Sequence, residues 1–296
     1  MSLASIRAFG DLWLLSELVR RERALMAIEL IEPYNVYVDE SVQYADRVKR
    51  IGSKSRELYA VTAYVAKFDN WITLENEWQG HLDYFKSPPF HFTDFMSRKG
   101  DFSKEKLNWS DKQRNDYLEL LCITAAEHTI MGAGCGIFQD DYEAALPEDL
   151  REAWRDPYYF CIYGMLSLIG GAESHFGYTL PRPLYFLFEE KRRFQGAALE
   201  LFSEFKRQKD NKELFGYAAF GPKAKFKPLQ AADLLVSVVN RRFKEMVFRL
   251  PYKMQKPLDR LNRKGNIHVV FLTEDILKTY VKFLREAKIT GVNQQR

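Results

Sequence analysis

Three separated stretches of this chain run apolar residues directly into carboxylates. They are NVYVDES with Asp39 and Glu40, LYFLFEEK with Glu189 and Glu190, and LQAADLL with Asp233. Burying an unpaired ionised carboxylate is costly or shifts its pKa, so a chain that does this three times needs cations as partners. If the first two stretches are neighbouring strands and the third is a helix packed on them, the acids meet in an oxygen-lined site suited to Mg²⁺ or Mn²⁺.

Length and composition predict a globular chain. The 296 residues, 46% of them hydrophobic, are enough for one large core. No apolar run approaches the roughly 18 residues that a bilayer span needs, so we expect no membrane contact. The three cysteines, Cys122, Cys135 and Cys161, are an odd number without CxxC spacing. This usage suits a reducing compartment, and we expect a cytoplasmic protein.

The pattern along the chain predicts one main domain with an addition at each end. Residues 1–25 carry four arginines but also Asp11 and Glu17, which favours an N-terminal extension over a cleaved targeting peptide. Residues 26–250 form the predicted domain. Residues 251–296 are too few for a separate core, so we expect them to pack on the same domain as a strand and helix.

The periodicity of apolar residues, together with capping and helix-breaking residues, predicts alternating strands and helices. The predicted strands are Asn35–Ser41, Leu58–Ala66, Ile130–Phe138, Leu184–Glu190, Leu214–Gly221 and Asn266–Leu272. The predicted helices are one capped by Asn70, one from Ser110 to about Thr129, Asp156–Leu168, Gln195–Arg207, Pro228–Arg249, and one from Thr273 to about Ala287. Phe90–Phe95 is expected to be extended, and Pro257–Lys264 to be a linker. Helices placed between later strands indicate an α/β fold with a partly parallel sheet.

Strand parity separates the paired acids. Adjacent strand residues point to opposite faces of a sheet, so only one acid of each pair reaches a common metal. Asp39 directly follows the apolar run, and we assign it as the ligand, with Glu40 as a supporting residue. The same parity assigns Glu189 as a ligand and leaves Glu190 to support it.

Asp233 has two interpretations at this point. On a helix it lines up with a polar stripe that is equally compatible with a solvent-facing surface; the stripe comprises Gln230, Ser237, Asn240 and Lys244. The alanines at 231 and 232 favour the other interpretation, because they let the helix approach a sheet closely. Gln230 would then orient a ligand or contact substrate.

His91, Asp94 and a basic segment complete the candidate residues. His91 and Asp94 are candidates for acid–base chemistry or for supporting contacts, although a single histidine is as often structural. Residues 221–264 hold twelve Lys/Arg against three Asp/Glu, a net charge of +9, so the rest of the chain is −5. A phosphodiester substrate needs such cations, and a solvated helix face is the alternative. The candidate phosphate contacts are Lys223, Arg241, Arg242 and Lys244.

These motifs together resemble the DUF3800 family, a group of largely uncharacterised proteins with an RNase H-like fold. The resemblance rests on YVDES (37–41), HFTDF (91–95), the FEE strand end (188–190) and LQAADLL (229–235), and it spans about residues 34–250. It implies an α/β fold with an RNase H-like mixed sheet flanked by helices, with helical insertions. It also implies a carboxylate site formed by Asp39, Glu189 and Asp233.

Three functions are compatible with this pattern. The first is a metal-dependent phosphodiesterase, a nuclease-type hydrolase acting on DNA or RNA, with one or two Mg²⁺ or Mn²⁺ ions held by the three acids. The alternative is a catalytically silent RNase H-like module that binds nucleic acid or a protein through its basic surface. A weaker third hypothesis is a hydrolase of small phosphoesters. An enzyme would not tolerate neutralisation of the acids, whereas a module would.

Overall fold

This computed structural model describes residues 34–44, 57–154, 156–178, 180, 182–190, 195–208 and 211–286. The predicted extension 1–25 and the predicted domain start at residue 26 lie outside these ranges. The described residues belong to one compact unit. Within the described ranges, no helix combines the length and the hydropathy that crossing a bilayer requires.

The described strands form one six-stranded mixed sheet. The strands are β1 (Tyr34–Tyr44), β2 (Glu57–Lys67), β3 (Met131–Phe138), β4 (Leu184–Glu189), β5 (Phe215–Gly221) and β6 (Ile267–Leu272). Their order across the sheet is β5-β4-β1-β2-β3-β6. Strand β2 runs antiparallel to both β1 and β3, while the pairs β1/β4, β4/β5 and β3/β6 are parallel. The predicted α/β class with an RNase H-like mixed sheet is confirmed.

Helices cover both faces of this sheet. They are α1 (Phe68–Tyr84), α2 (Phe92–Ser97), α3 (Asp111–His128), α4 (Gln139–Ala145), α5 (Glu148–Trp154), α6 (Pro157–Gly170), α7 (Ala172–Phe176), α8 (Gln195–Arg207), α9 (Lys227–Val247), α10 (Gln255–Leu261) and α11 (Glu274–Glu286). One face packs against α9, which α1 contacts in turn, and α3 lies outside α1. The other face packs against α6, with α8 beside it.

Two hydrophobic cores follow from the alternation of side chains along the strands. On β1, Val36 and Val38 face the α6 side, whereas Tyr37 faces α9. On β4, Phe186 and Phe188 belong to the α6 core. The central strands are therefore covered on both sides, which explains why their sequences read as nearly continuous apolar runs.

The element boundaries agree with the sequence prediction at several helices. Helix α8 has the predicted bounds. Ser110 caps α3 through a capping box with Gln113, and Asp156 caps α6 with Pro157 at its start. Each of these signals lies within a few residues of the helix end, which is why the sequence alone reveals them.

Three local predictions are wrong. Asn70 does not cap α1, because the helix already begins at Phe68. Phe90–Phe95 is not an extended segment, since helix α2 starts within it. Pro257–Lys264 is not a plain linker, because α10 extends into it and Leu261 is fully buried. The short helices α4, α5 and α7 were not predicted, because helices of five to seven residues carry little periodicity.

Candidate functional site

Asp39, Glu189 and Asp233 come from three different elements that meet on the α9 face of the sheet. Strands β1 and β4 are parallel neighbours with Val38 beside Phe188, so the next residue of each strand, Asp39 and Glu189, lies at the same level. Asp233 lies in the second turn of α9. All three side chains are largely shielded from solvent, with exposed fractions of 0%, 14% and 7%.

The ammonium group of Lys223 lies between these three carboxylates. Its Nζ atom is 2.9 Å from Asp39 Oδ2, 3.1 Å from Glu189 Oε1 and 3.2 Å from Asp233 Oδ1. Lys223 lies on the loop that joins β5 to α9, two residues after the strand ends, and its side chain is 11% exposed. The sequence predicts this lysine to be a phosphate contact. The structure instead buries its charge among the acids.

The Asp233 carboxylate has a second role in the local fold. Its Oδ2 atom accepts a hydrogen bond of 2.8 Å from the backbone N–H of Phe92, the first residue of α2. Burial raises the pKa of Asp233, the Lys223 ammonium opposes that shift, and the neighbouring Asp39 charge adds to it. Asp233 therefore connects the carboxylate cluster to the N-terminus of α2.

The polar stripe of α9 is buried rather than solvent-facing. Gln230, Asp233, Ser237 and Asn240 are each at most 5% exposed. The Asn240 side-chain amide donates to Ser41 Oγ on β1 at 3.1 Å. This burial removes the interpretation of the stripe as a wet helix face.

Two alanines allow α9 to approach the sheet closely. Ala231 and Ala232 are fully buried. The hydroxyl of Thr62 on β2 lies 3.5 Å from the Ala232 carbonyl oxygen. Asp39 stands opposite Thr62 in the β1/β2 register. The small residues therefore bring the helix backbone down onto the part of the sheet that carries Asp39.

Glu40 lies on the opposite face of the sheet from Asp39. Its Oε2 atom accepts a hydrogen bond of 3.0 Å from the hydroxyl of Tyr158 on α6. Burial and the Glu40 charge both raise the pKa of that tyrosine well above its usual range. Glu190 is exposed, and its backbone N–H donates to the Gly221 carbonyl at 3.0 Å. Of the two predicted supporting acids, Glu40 therefore binds Tyr158 on the opposite face of the sheet, and Glu190 is exposed to solvent.

His91 and Asp94 form a pair next to the cluster. His91 Nδ1 lies 2.9 Å from Asp94 Oδ2, and both side chains are nearly half exposed. His91 immediately precedes Phe92, whose N–H binds Asp233, and a positive charge on His91 lowers the Asp233 pKa. The pair therefore lies at the solvent side of the carboxylate cluster.

The predicted phosphate contacts on α9 are only partly available to a ligand. The Arg241 guanidinium lies 5.7 Å from the centre of the Phe92 ring. Arg242 donates to Gln255 Oε1 at 2.8 Å and lies 4.0 Å from the Tyr252 ring centre. Lys244 is half-buried in the last turn of α9. Arg241 thus lies beside Phe92, the residue whose backbone N–H binds Asp233.

The acids of α3 neutralise part of the basic segment beyond α9. Lys256 and Arg260 both form ion pairs with Glu119, at 2.9 and 2.8 Å. Arg263 lies 2.8 Å from Glu127. The excess of positive charge in residues 221–264 is therefore not concentrated on one uniform surface.

The donor set suits a hard divalent cation, but Lys223 lies where that ion would bind. Three carboxylate oxygens surround a single point, which is the ligand chemistry that Mg²⁺ and Mn²⁺ prefer. Their distances from the ammonium exceed the roughly 2.1 Å of Mg–O bonds. Among the residues that the structure describes, no group of three His, Cys, Asp or Glu side chains is spaced as a metal site. Metal binding therefore requires the ammonium to leave and the carboxylates to move inward.

The central position of Lys223 was missed from the sequence. The signal available was its place in GPK, directly after an apolar strand and ten residues before Asp233. That signal shows closeness to the site but not the direction of the side chain. Only the three-dimensional arrangement of β1, β4 and α9 reveals that three acids lie within reach of one lysine.

Comparison with models of known protein families gives no match for this chain. Comparison with curated proteins gives no significant match either. The resemblance carried by the YVDES and LQAADLL motifs therefore stays a prediction from those residues.

Proposed function

We propose that this protein is a metal-dependent phosphodiesterase that acts on nucleic acid. The observation that carries the proposal is the convergence of Asp39, Glu189 and Asp233 on one point beside the middle of β1 and the end of β4. Buried acids that share a point favour a cation as their functional partner, because mutual repulsion otherwise opposes their ionisation. The DUF3800-like motifs support the same assignment.

Each part of the site has a role in this proposal. Asp39, Glu189 and Asp233 would hold one or two Mg²⁺ or Mn²⁺ ions. Such an ion polarises a phosphoryl oxygen and lowers the pKa of bound water. The pair His91 and Asp94, half exposed beside Asp233, would accept or return a proton at the solvent side of the site. Arg241, above the Phe92 ring, would hold a phosphate of the backbone near the acids.

A catalytically silent binding module is the second candidate. The observation that favours it is the Lys223 ammonium, which already supplies a positive charge to all three carboxylates. In such a module the four charged residues would be a structural ion cluster. Neutralising one acid would then change stability without affecting the binding of a nucleic acid.

A cleavage assay separates the two candidates. Labelled single-stranded and double-stranded DNA and RNA are incubated with the protein in Mg²⁺, Mn²⁺ or a chelator. We expect metal-dependent cleavage that Asp39→Asn and Asp233→Asn each reduce by about a hundredfold or more, since each removes a ligand charge. Glu190→Gln is the matched control, because it neutralises an exposed acid next to Glu189. Circular dichroism of each variant checks that the fold is retained.

The outcomes have distinct meanings. Cleavage that survives both substitutions would place the activity elsewhere or in a contaminant. Binding of nucleic acid without cleavage, equal in the wild type and in Asp39→Asn, would favour the silent module. Hydrolysis of a small phosphodiester without any nucleic-acid cleavage would favour the small-phosphoester hydrolase.

A further inference from the structure

Lys223 contacts the three carboxylates through one atom. The Nζ atom lies 2.9 to 3.2 Å from an oxygen of Asp39, Glu189 and Asp233. These are ion-pair distances, at which a single ammonium attracts all three carboxylates. One lysine therefore fits all three acids at once.

Two hydrogen bonds fix the backbone of the loop that carries Lys223. The buried Gln230 side chain donates to the Lys223 carbonyl oxygen at 3.2 Å. The Lys225 N–H donates to the Pro222 carbonyl at 3.0 Å, closing a turn around Lys223. The backbone is thus anchored, while the four-carbon side chain keeps rotatable bonds with which the ammonium can leave.

A divalent ion at the centre of the cluster would take the position of the Lys223 ammonium, where the Asp39 side chain is completely buried. A doubly charged ion attracts each carboxylate more strongly than a singly charged ammonium at the same distance. The two cations need the same oxygens, so they cannot both occupy the centre.

We propose that Lys223 is the site's built-in cation, which holds the three carboxylates together without metal and which a divalent ion must displace. This inference rests on the proposed metal-dependent function. The lysine lowers the apparent affinity for metal, because part of the binding free energy is used to break its contacts. It also keeps the acids assembled, so the site does not have to form anew when the metal binds.

The first test measures Mn²⁺ binding by calorimetry at about pH 8, where carboxylates are ionised. Lys223→Met keeps the unbranched side chain up to the position of Cε and removes its charge. We expect it to bind Mn²⁺ about tenfold more tightly than the wild type. Lys225→Met is the matched control, since Lys225 is exposed on the same loop, and its affinity should equal that of the wild type. Lys223→Gln is a second variant in case the methionine variant does not fold.

The second test uses only the wild type. An amine-acylating reagent is added with and without saturating Mn²⁺, and the labelling of each lysine is measured by mass spectrometry. We expect Lys223 to be protected without metal and to become severalfold more reactive with it, because its ammonium moves out of the carboxylate cluster. The labelling of the exposed Lys225 should be unchanged.

The possible results separate this inference from the proposed function. If the wild type binds Mn²⁺ and Lys223→Met binds it no more tightly, the competition is refuted and the metal site stands. If neither protein binds Mn²⁺, both the competition and the metal-dependent function are refuted. If only Lys223→Met binds Mn²⁺, the lysine is the resident cation and the wild type is the silent module. Lysine labelling that does not respond to bound metal would also overturn the inference.

Discussion

Gln230 holds Lys223 in place through the main chain: its amide Nε2 donates to the Lys223 carbonyl oxygen at 3.2 Å. The Oε1 atom of the same side chain accepts hydrogen bonds from the Trp78 indole at 3.0 Å and from the Phe90 backbone at 2.9 Å. One buried amide thus joins helix α1, the segment before α2 and the loop that carries the central lysine. The position of the ammonium therefore depends on a residue that does not touch it.

Gln230→Met should destabilise the fold and loosen the Lys223 loop. The substitution leaves the Trp78 N–H, the Phe90 N–H and the Lys223 carbonyl without this partner in a dry environment, so we expect a loss of roughly 2–4 kcal/mol in the free energy of unfolding. Urea unfolding measures this loss. Gln79→Met, which removes only an exposed hydrogen bond to Asp83, is the control and should cost less than about 0.5 kcal/mol. Equal effects of the two substitutions would show that the Gln230 network does not stabilise the fold.

Alanine substitution at the two predicted helix caps, Ser110 and Asn70, should have different effects on stability. Ser110 caps α3, since its Oγ accepts from the Gln113 N–H at 3.2 Å and Gln113 reaches back to the Ser110 N–H at 2.9 Å. Ser110→Ala should therefore cost about 0.5–2 kcal/mol. Asn70 lies inside the first turn of α1, and Asn70→Ala should be neutral or slightly stabilising, because alanine has the higher helix propensity. Thermal unfolding of both variants checks this, and a larger loss for Asn70→Ala would contradict the assignment of α1.

Local signals account for the parts of the fold that the sequence predicted. The Ser110 cap, Pro157 at the start of α6 and the alternation along β1 each involve residues only a few positions apart. Strand parity likewise separated Asp39 from Glu40, and the structure places Tyr158 against Glu40 on the far side of the sheet. The order of the strands was not available in this way, because it depends on pairings between distant segments.

Helix α2 shows why other local predictions were wrong. Its six residues are too few for a stable helix in isolation. Its first N–H is bound by Asp233, 141 residues away in sequence. The aromatic residues Phe92 and Phe95 are both buried in the core next to α9. A tertiary partner therefore determines the helix, just as three distant acids determine where the Lys223 ammonium lies.

The pH dependence of stability should include a contribution from His268. Burial lowers the pKa of His268, and its ring stacks on Phe176 with 3.7 Å between centroids. The unfolded chain therefore takes up the proton first, and stability is lost as the pH falls through the ordinary histidine value of about 6.5. Above that value both states are neutral, so the contribution vanishes. His268→Gln should make the free energy of unfolding depend less on pH between about 7.5 and 5.5.

The control for this measurement is His175→Gln, because His175 is exposed. Denaturant unfolding at several pH values gives the slope for each protein. The His175 variant should keep the slope of the wild type. A wild-type slope that persists in His268→Gln would assign the proton uptake to other groups.

Ion pairing divides the basic segment into two classes of cation, and nucleic-acid binding should distinguish them. Lys256 and Arg260 both pair with Glu119 on α3, whereas Arg249 and Lys253 are exposed beyond the end of α9. Each cation that contacts a phosphate releases a condensed counterion. This release adds about 0.9 to the steepness of log affinity plotted against log salt concentration. Arg249→Ala with Lys253→Ala should therefore flatten that slope by about one to two units, similarly for all sequences.

Lys256→Ala with Arg260→Ala is the matched double control, and it should change the slope less, because Glu119 already engages both charges. Binding to one labelled strand across a salt series gives both slopes. Equal slopes in the wild type and both variants would place the nucleic acid on another surface, and wild-type binding that does not depend on salt would exclude phosphate contacts as its source.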